Sequence, residues 1–237
     1  MSLKKWEIFV KKNINNEFVK NRKKRNITSP RQDVDLSKER IWRTFISCQI
    51  TSVQKSGPNS KVSDFLRSNS PALNYKYCLK QQDKKSFIQT ELLEAGIRFN
   101  DKIGGYLSEI IKHLESGGWK DLNNHLETLR KNTSKNKERI VADYLRKTYL
   151  GLGPKQSRNF IQDLCLSRYE IPIDSRIIKT MKKLDSLSVP NDKALSSLKV
   201  YIGIQDRLQD IASNLGIYPC VLDACIFSSF DKPHICK

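Results

Sequence analysis

About two-thirds of the way along the chain, one helical stretch runs into a tight bend and a second begins directly after it, in Tyr149-Leu-Gly-Leu-Gly-Pro-Lys-Gln-Ser-Arg-Asn-Phe160. Gly151 and Gly153 permit positive φ and close backbone approach, and Pro154 suits the first turn of a helix. A hairpin of this kind points free backbone N–H groups outward at the positive end of a helix dipole, which suits a phosphate. Lys147, Lys155 and Arg158 surround those donors with positive charge. The bend reads as a sequence-independent grip on a polyanionic backbone, or as a purely structural helix connection.

The flanking sequence is helical in period. Ser37 can cap a helix in which Ile41, Trp42, Phe45, Ile46 and Gln49 share a face. Over 102–115, Ile103, Tyr106, Leu107, Ile110, Ile111 and Leu114 form an apolar stripe that stops at Gly117 and Gly118. A third stretch, 136–149, places Ile140, Val141, Tyr144, Leu145 and Thr148 together, and helical spacing returns at 176–184 and at 206–215, the latter closed by Gly216. No segment alternates with a period of two, so the predicted fold class is all-α, without internal repeats.

Composition narrows the partner. A net charge of +18 and a pI near 9.7 point to nucleic acid. No stretch approaches the length of a membrane span, and the start lacks the apolar core of a secretory signal, so no membrane partner and a cytoplasmic, nucleoid-associated or nuclear location are expected. Six cysteines, at 48, 78, 165, 220, 225 and 236, form no CxxC pair and are expected as free thiols. His113, His125 and His234 are scattered, and neither a metal nor a cofactor is expected. The first thirty residues carry Trp6, Phe9, Val10, Ile14 and Phe18 at helical intervals and end in a basic run over 20–31. That run reads either as a solvated, partly disordered terminus or as an arm that touches DNA.

Lys155 opens the helix after the bend, and Asp174 follows nineteen residues later in Ile171-Pro-Ile-Asp-Ser-Arg. Asp174 alone reads as an N-cap for a helix starting at Ser175. Paired with Lys155 near a phosphate-binding turn, it becomes the electrostatic partner of an amine nucleophile, which suits glycosidic bond cleavage.

At these positions the chain resembles the helix-hairpin-helix DNA glycosylases. Their pattern, Leu-x-Gly-x-Gly-x-Lys followed eighteen to twenty residues on by Val/Ile-Asp-x-His/Arg, is met by Gly151, Gly153, Lys155, Ile173, Asp174 and Arg176, with Tyr149 in place of the leucine. The passage Gly96-Ile-Arg-Phe-Asn-Asp-Lys-Ile-Gly-Gly-Tyr106 is similar to one in the archaeal-type 8-oxoguanine glycosylase/lyases, with Gly104 where they carry alanine. The resemblance covers roughly 37–237. It implies two helical lobes about a cleft, a barrel over 40–167 that includes the hairpin and a second lobe from 1–39 plus 168–237.

It also implies roles. Gln49 would fill the gap left by an extruded base; Gly151, Gly153, Lys147, Arg158 and Arg176 would contact DNA; Phe227 would stack on the base, where relatives carry tryptophan, and the Lys237 carboxylate would hydrogen-bond it. Relatives with an iron–sulfur cluster space four cysteines as C-x6-C-x2-C-x5-C, a spacing that Cys220, Cys225 and Cys236 do not meet. The implied activity is that of a monomer on double-stranded DNA, removing an oxidised purine, 8-oxoguanine foremost, through a Lys155 Schiff base and β-elimination. Removal of alkylated or deaminated bases, and a non-enzymatic DNA-binding module, are the alternatives. In each case, affinity for duplex DNA is expected to fall steeply between about 50 and 200 mM salt, checked by anisotropy titration across that range.

Overall fold

The computed structural model describes residues 3–230 apart from 53, 58, 185–188 and 191. The described residues form helices and no β-strand. The chain opens with α1 (Leu3–Asn13) and α2 (Glu17–Lys23), continues through α3 (Lys38–Ile50), α4 (Lys61–Arg67), α5 (Tyr75–Lys80) and α6 (Lys84–Glu94), and reaches α7 (Asn100–His113) and α8 (Trp119–Lys131). Then follow α9 (Lys135–Thr148), α10 (Pro154–Asp163), α11 (Ser175–Leu184), α12 (Leu198–Asn214) and α13 (Pro219–Ser228). No single described helix is long and apolar enough to cross a membrane.

Local chemistry sets the boundaries. Ser37 Oγ accepts from the Arg40 N–H and starts α3, and Ser134 does the same for α9 through Lys137. Gly117, at φ 109°, turns the chain between α7 and α8, and Gly216, at φ 66°, ends the α12 turn. Where α6 and α7 pack, a Cβ on Gly104 would stand 3.0 Å from the Lys85 carbonyl oxygen, so glycine lets the two backbones approach.

Buried side chains fall into two clusters. One runs from Ile41 on α3 to Leu166 just past α10. The other joins Trp6, Val10 and Val19 from α1 and α2 to residues from Ile171 to Ile226. Val34 and Leu36, assigned by sequence to the second lobe, pack against the first cluster instead. Ile140 departs too: it is 53% exposed, because α9 turns Val141, Ala142 and Leu145 inward and leaves Ile140 on the solvent side.

The basic N-terminal run is folded onto the protein. Asn26 is buried and donates to the carbonyls of Gln162 and Ser167, while Arg31 donates to those of Leu129 and Leu166. Arg168 donates back to the carbonyls of Asn26 and Ile27. Arginines that a DNA-contacting arm would turn outward thus satisfy carbonyls at the boundary between the two clusters.

The segment crossing from one cluster to the other is held by Glu138 of α9. Its Oε1 accepts from Thr133 Oγ1 (2.6 Å) and the Arg168 N–H (2.7 Å), and its Oε2 from Ser167 Oγ (2.9 Å) and the N–H groups of Tyr169 (2.7 Å) and Glu170 (2.8 Å). Burial pushes this carboxyl above its ordinary range, against the pull of those donors. Glu138→Ala orphans the backbone N–H groups of Arg168, Tyr169 and Glu170 and is expected to lower unfolding free energy by about 2–4 kcal/mol in a urea titration, with Glu138→Gln less harmful.

Candidate active site

The bend is built as its glycines require. Gly151 sits at φ +80°, and a Cβ there would collide with the Gln49 side chain and come within 2.6 Å of Tyr106 Cδ2. Gly153 has φ −70° and ψ −175°, ordinary extended backbone, with open space around the missing Cβ. Positive φ is therefore needed at one glycine only; the other leaves room for an approaching group. Beneath the bend, Tyr149 packs on Phe45 (centroids 4.8 Å) and edge-on to His113 (5.4 Å), so the aromatic ring occupies the place where the family pattern has leucine.

Pro154 is the first residue of α10, and no side chain caps that terminus. Its leading N–H groups are therefore unsatisfied by side chains. Lys147, at the end of α9, is exposed.

The outward face of α10 forms one wall of a cleft. Lys155, Asn159 and Gln162, at i, i+4 and i+7, line it. The Lys155 amine makes no hydrogen bond or ion pair with any described residue. Pro172, Asp174, Arg176, Asp223 and Phe227 line the same cleft from the second cluster. The structure thus brings Lys155 and Asp174 to one cavity from two different cores.

Asp174 is the N-cap of α11 and also pairs with Arg176. Its Oδ1 accepts from the N–H groups of Arg176 (2.9 Å) and Ile177 (3.4 Å), capping α11, while its Oδ2 holds the Arg176 guanidinium through Nε (2.9 Å) and Nη2 (2.5 Å). Arg176 Cζ also stands 4.0 Å from the centroid of the Phe227 ring. Phe18 of α2 stacks on Phe227 with centroids 4.7 Å apart at 16°. A ring and a guanidinium this close cannot share one face, so Phe227 is sandwiched between them.

Two assignments from the sequence are corrected. Arg158 is fully buried and cannot reach DNA: its Nε donates to Glu170 Oε2 (2.9 Å), Nη2 lies 3.6 Å from Asp143, and the Cζ stands 5.2 Å from the Tyr201 ring centroid. Three residues beyond Lys155 on α10, it faces inward where Lys155 faces the cleft. Gln49 is 3% exposed and donates through Nε2 to the Leu150 carbonyl (2.7 Å), so it ties α3 to the bend and offers no free wedge. Lys237 lies outside the described residues.

Asn159, Gln162, Arg22 and Asp223 went unread in the sequence. Heptad-like spacing from Lys155 marks the first two; nothing local marks the others, because Arg22 and Asp223 meet across two hundred residues. Asp223 Oδ2 accepts from Arg22 Nη1 and Gln162 Nε2, each at 3.0 Å, and burial pushes its carboxyl above the ordinary range. Cys48, Cys78, Cys220 and Cys225 are buried free thiols and Cys165 is half-buried; burial raises Cys78, Cys220 and Cys225 to about 12. No group of three or more His, Cys, Asp or Glu among the described residues could hold a metal ion.

This arrangement, two all-α cores about a cleft entered by a helix-hairpin-helix, is a known fold. Over 94% of its length the chain superposes on 96% of the Methanocaldococcus jannaschii 8-oxoguanine glycosylase/lyase in complex with 15mer DNA containing 8-oxoguanine, with a TM-score of 0.72 and 15% identity. The Thermotoga maritima 8-oxoguanine DNA glycosylase gives a TM-score of 0.70 at 16% identity, covering 95% of this chain and 97% of that one. The protein has the fold of these 8-oxoguanine DNA glycosylases. No protein-family pattern and no curated protein sequence matches it.

Gly151→Ala forces a side chain into the left-handed region and against Gln49, and is expected to cost about 1–3 kcal/mol of stability. Gly153→Ala is expected to leave the thermal midpoint nearly unchanged and to weaken duplex binding, since its methyl group occupies the approach to the α10 N-terminus. Thermal melts and anisotropy titrations of the two variants separate these effects.

Proposed function

We propose that the protein is a base-excision repair enzyme, a DNA glycosylase that removes an oxidised purine, 8-oxoguanine foremost, from duplex DNA and then nicks the strand as a lyase. The observation that carries this reading is the unpaired Lys155 amine and the Asp174 carboxylate in one cleft, beside a helix N-terminus open to a phosphate. The fold adds support: the Methanocaldococcus jannaschii enzyme with that fold is a glycosylase/lyase seen with 8-oxoguanine DNA.

The uncapped start of α10 and the exposed Lys147 hold the strand, and the damaged nucleotide swings into the cleft at an unstacking cost of a few kcal/mol. There the base meets Phe227, taking the place of the Arg176 guanidinium, while Asn159, Gln162 and Asp223 supply polar groups for its edge. The Lys155 amine attacks C1′, and the C1′–N9 electron pair departs with the purine, which gains a proton. Asp174 stabilises the positive charge that develops on the sugar. Ring opening at C1′–O4′ gives the iminium with Lys155, and loss of a C2′ proton expels the 3′ phosphate oxygen, which breaks the strand on its 3′ side.

Incubation with 8-oxoguanine duplex and borohydride is expected to yield a covalent protein–DNA adduct with the wild type and none with Lys155→Gln, whose excision rate drops by roughly 10³-fold or more. Asp174→Asn is expected to slow excision by about 10²-fold with duplex affinity changed only a few-fold. A folded wild type that neither traps nor releases any damaged base would defeat this assignment.

A further inference from the structure

Arg158 and Glu170 form an ion pair with both side chains at 0% exposure, at the boundary between the two cores. Burying such a pair is costly, and apolar side chains of similar volume would join two cores at least as well. What the pair offers instead is direction. Arg158 lies one turn beyond Lys155 on α10, and Glu170 lies four residues before Asp174 on the extended segment leading to α11.

The remaining bonds of this group make that direction strict. Glu170 Oε2 accepts from Arg158 Nε (2.9 Å), and Oε1 accepts from Arg139 Nε (3.0 Å) and Nη2 (2.9 Å) of α9 and from Gln209 Nε2 (3.1 Å) of α12. Tyr201, on whose ring Arg158 rests, accepts from the Ile173 N–H (2.8 Å) and donates to the Ile171 carbonyl (3.0 Å). From Glu170 to Ile173 the segment is thus tied to α9, α10 and α12, and the next residue is Asp174.

We propose that Glu170, gripped by Arg158, is a positioning residue: it fixes where the Asp174 carboxylate stands relative to the Lys155 amine. The proposal rests on the glycosylase reading above. Neither Glu170 nor Arg158 lines the cleft, so neither touches the reacting sugar. The pair acts through the two elements that carry the chemistry. A shift of about 1 Å between such groups costs on the order of 10²-fold in rate.

The test measures two quantities on duplex containing a preformed abasic site: the single-turnover rate of borohydride trapping at saturating DNA, and the dissociation constant by anisotropy. Glu170→Gln is expected to slow trapping by about 30- to 100-fold and to change the dissociation constant by less than about threefold. The double variant Arg158→Met with Glu170→Leu replaces the paired charges with apolar volume and leaves Arg139 to Asp206; its thermal midpoint is expected close to or somewhat below that of the wild type, with the trapping rate still depressed. A double variant that melts like the wild type and also traps at its rate makes the pair merely structural and overturns the proposal. So does Glu170→Gln with an unchanged rate, or a loss appearing wholly in affinity. A wild type that traps no abasic DNA refutes the Lys155 Schiff-base step of the reading above and this proposal with it; a wild type that traps normally while its variants do the same refutes the positioning role alone.

Discussion

Two carboxylates shut away from water, Glu138 and Glu170, hold the crossing segment on which everything else is built. The chain passes between its two cores over residues 167–174, in a stretch without helix or strand. Such a stretch has no ladder of its own to satisfy its backbone, and burial forbids water from doing so. Glu138 accepts the N–H groups at 168, 169 and 170, and Tyr201 bridges 171 and 173. Side-chain acceptors thus replace secondary structure where two folded units must be joined rigidly.

Periodicity and turn chemistry made much of this molecule legible from its sequence. The Ser37 cap, the glycines that stop α7 and α12, and the bend at Gly151 are all local, each decided by residues within a few positions of one another. Lys155 and Asp174 were legible for the same reason: one follows the bend, the other precedes a helix. Arg158 was misread because a basic residue near a phosphate-binding turn looks exposed until its helical phase is counted against Lys155, and because its partner Glu170 is twelve residues away across a core boundary. Gln49 was misread because its acceptor, the Leu150 carbonyl, belongs to the bend itself. Ile140 shows the converse limit: apolar residues that share a stretch of helix do not all face the core when their neighbours Val141 and Ala142 already fill it.

The charge of the chain is also sorted by the fold. Glu138, Glu170 and Asp223 are spent inside on backbone donors and arginines, and Asp163 pairs with Arg25 and Arg40. Arginine, with its planar fork, serves these interior contacts; lysines such as Lys147, Lys179 and Lys183 remain at the surface. With those acids matched largely by arginines drawn in beside them, the exposed lysines give the exterior its positive charge. That polarity matches a long polyanion, whose attraction acts over roughly a Debye length of about 8–10 Å.

The stacking of Phe18 on Phe227 brings together two helices separated by most of the chain. The second core draws Trp6, Val10 and Val19 from its first helices and its remaining residues from beyond Ile171, so no contiguous half of the sequence contains it. The first core is continuous and can condense while synthesis proceeds; α1 and α2 must wait unburied until α13 emerges from the ribosome. The nascent protein therefore carries Lys155 on a completed scaffold long before the aromatic wall of the cavity exists, and the cleft is closed in one late docking event.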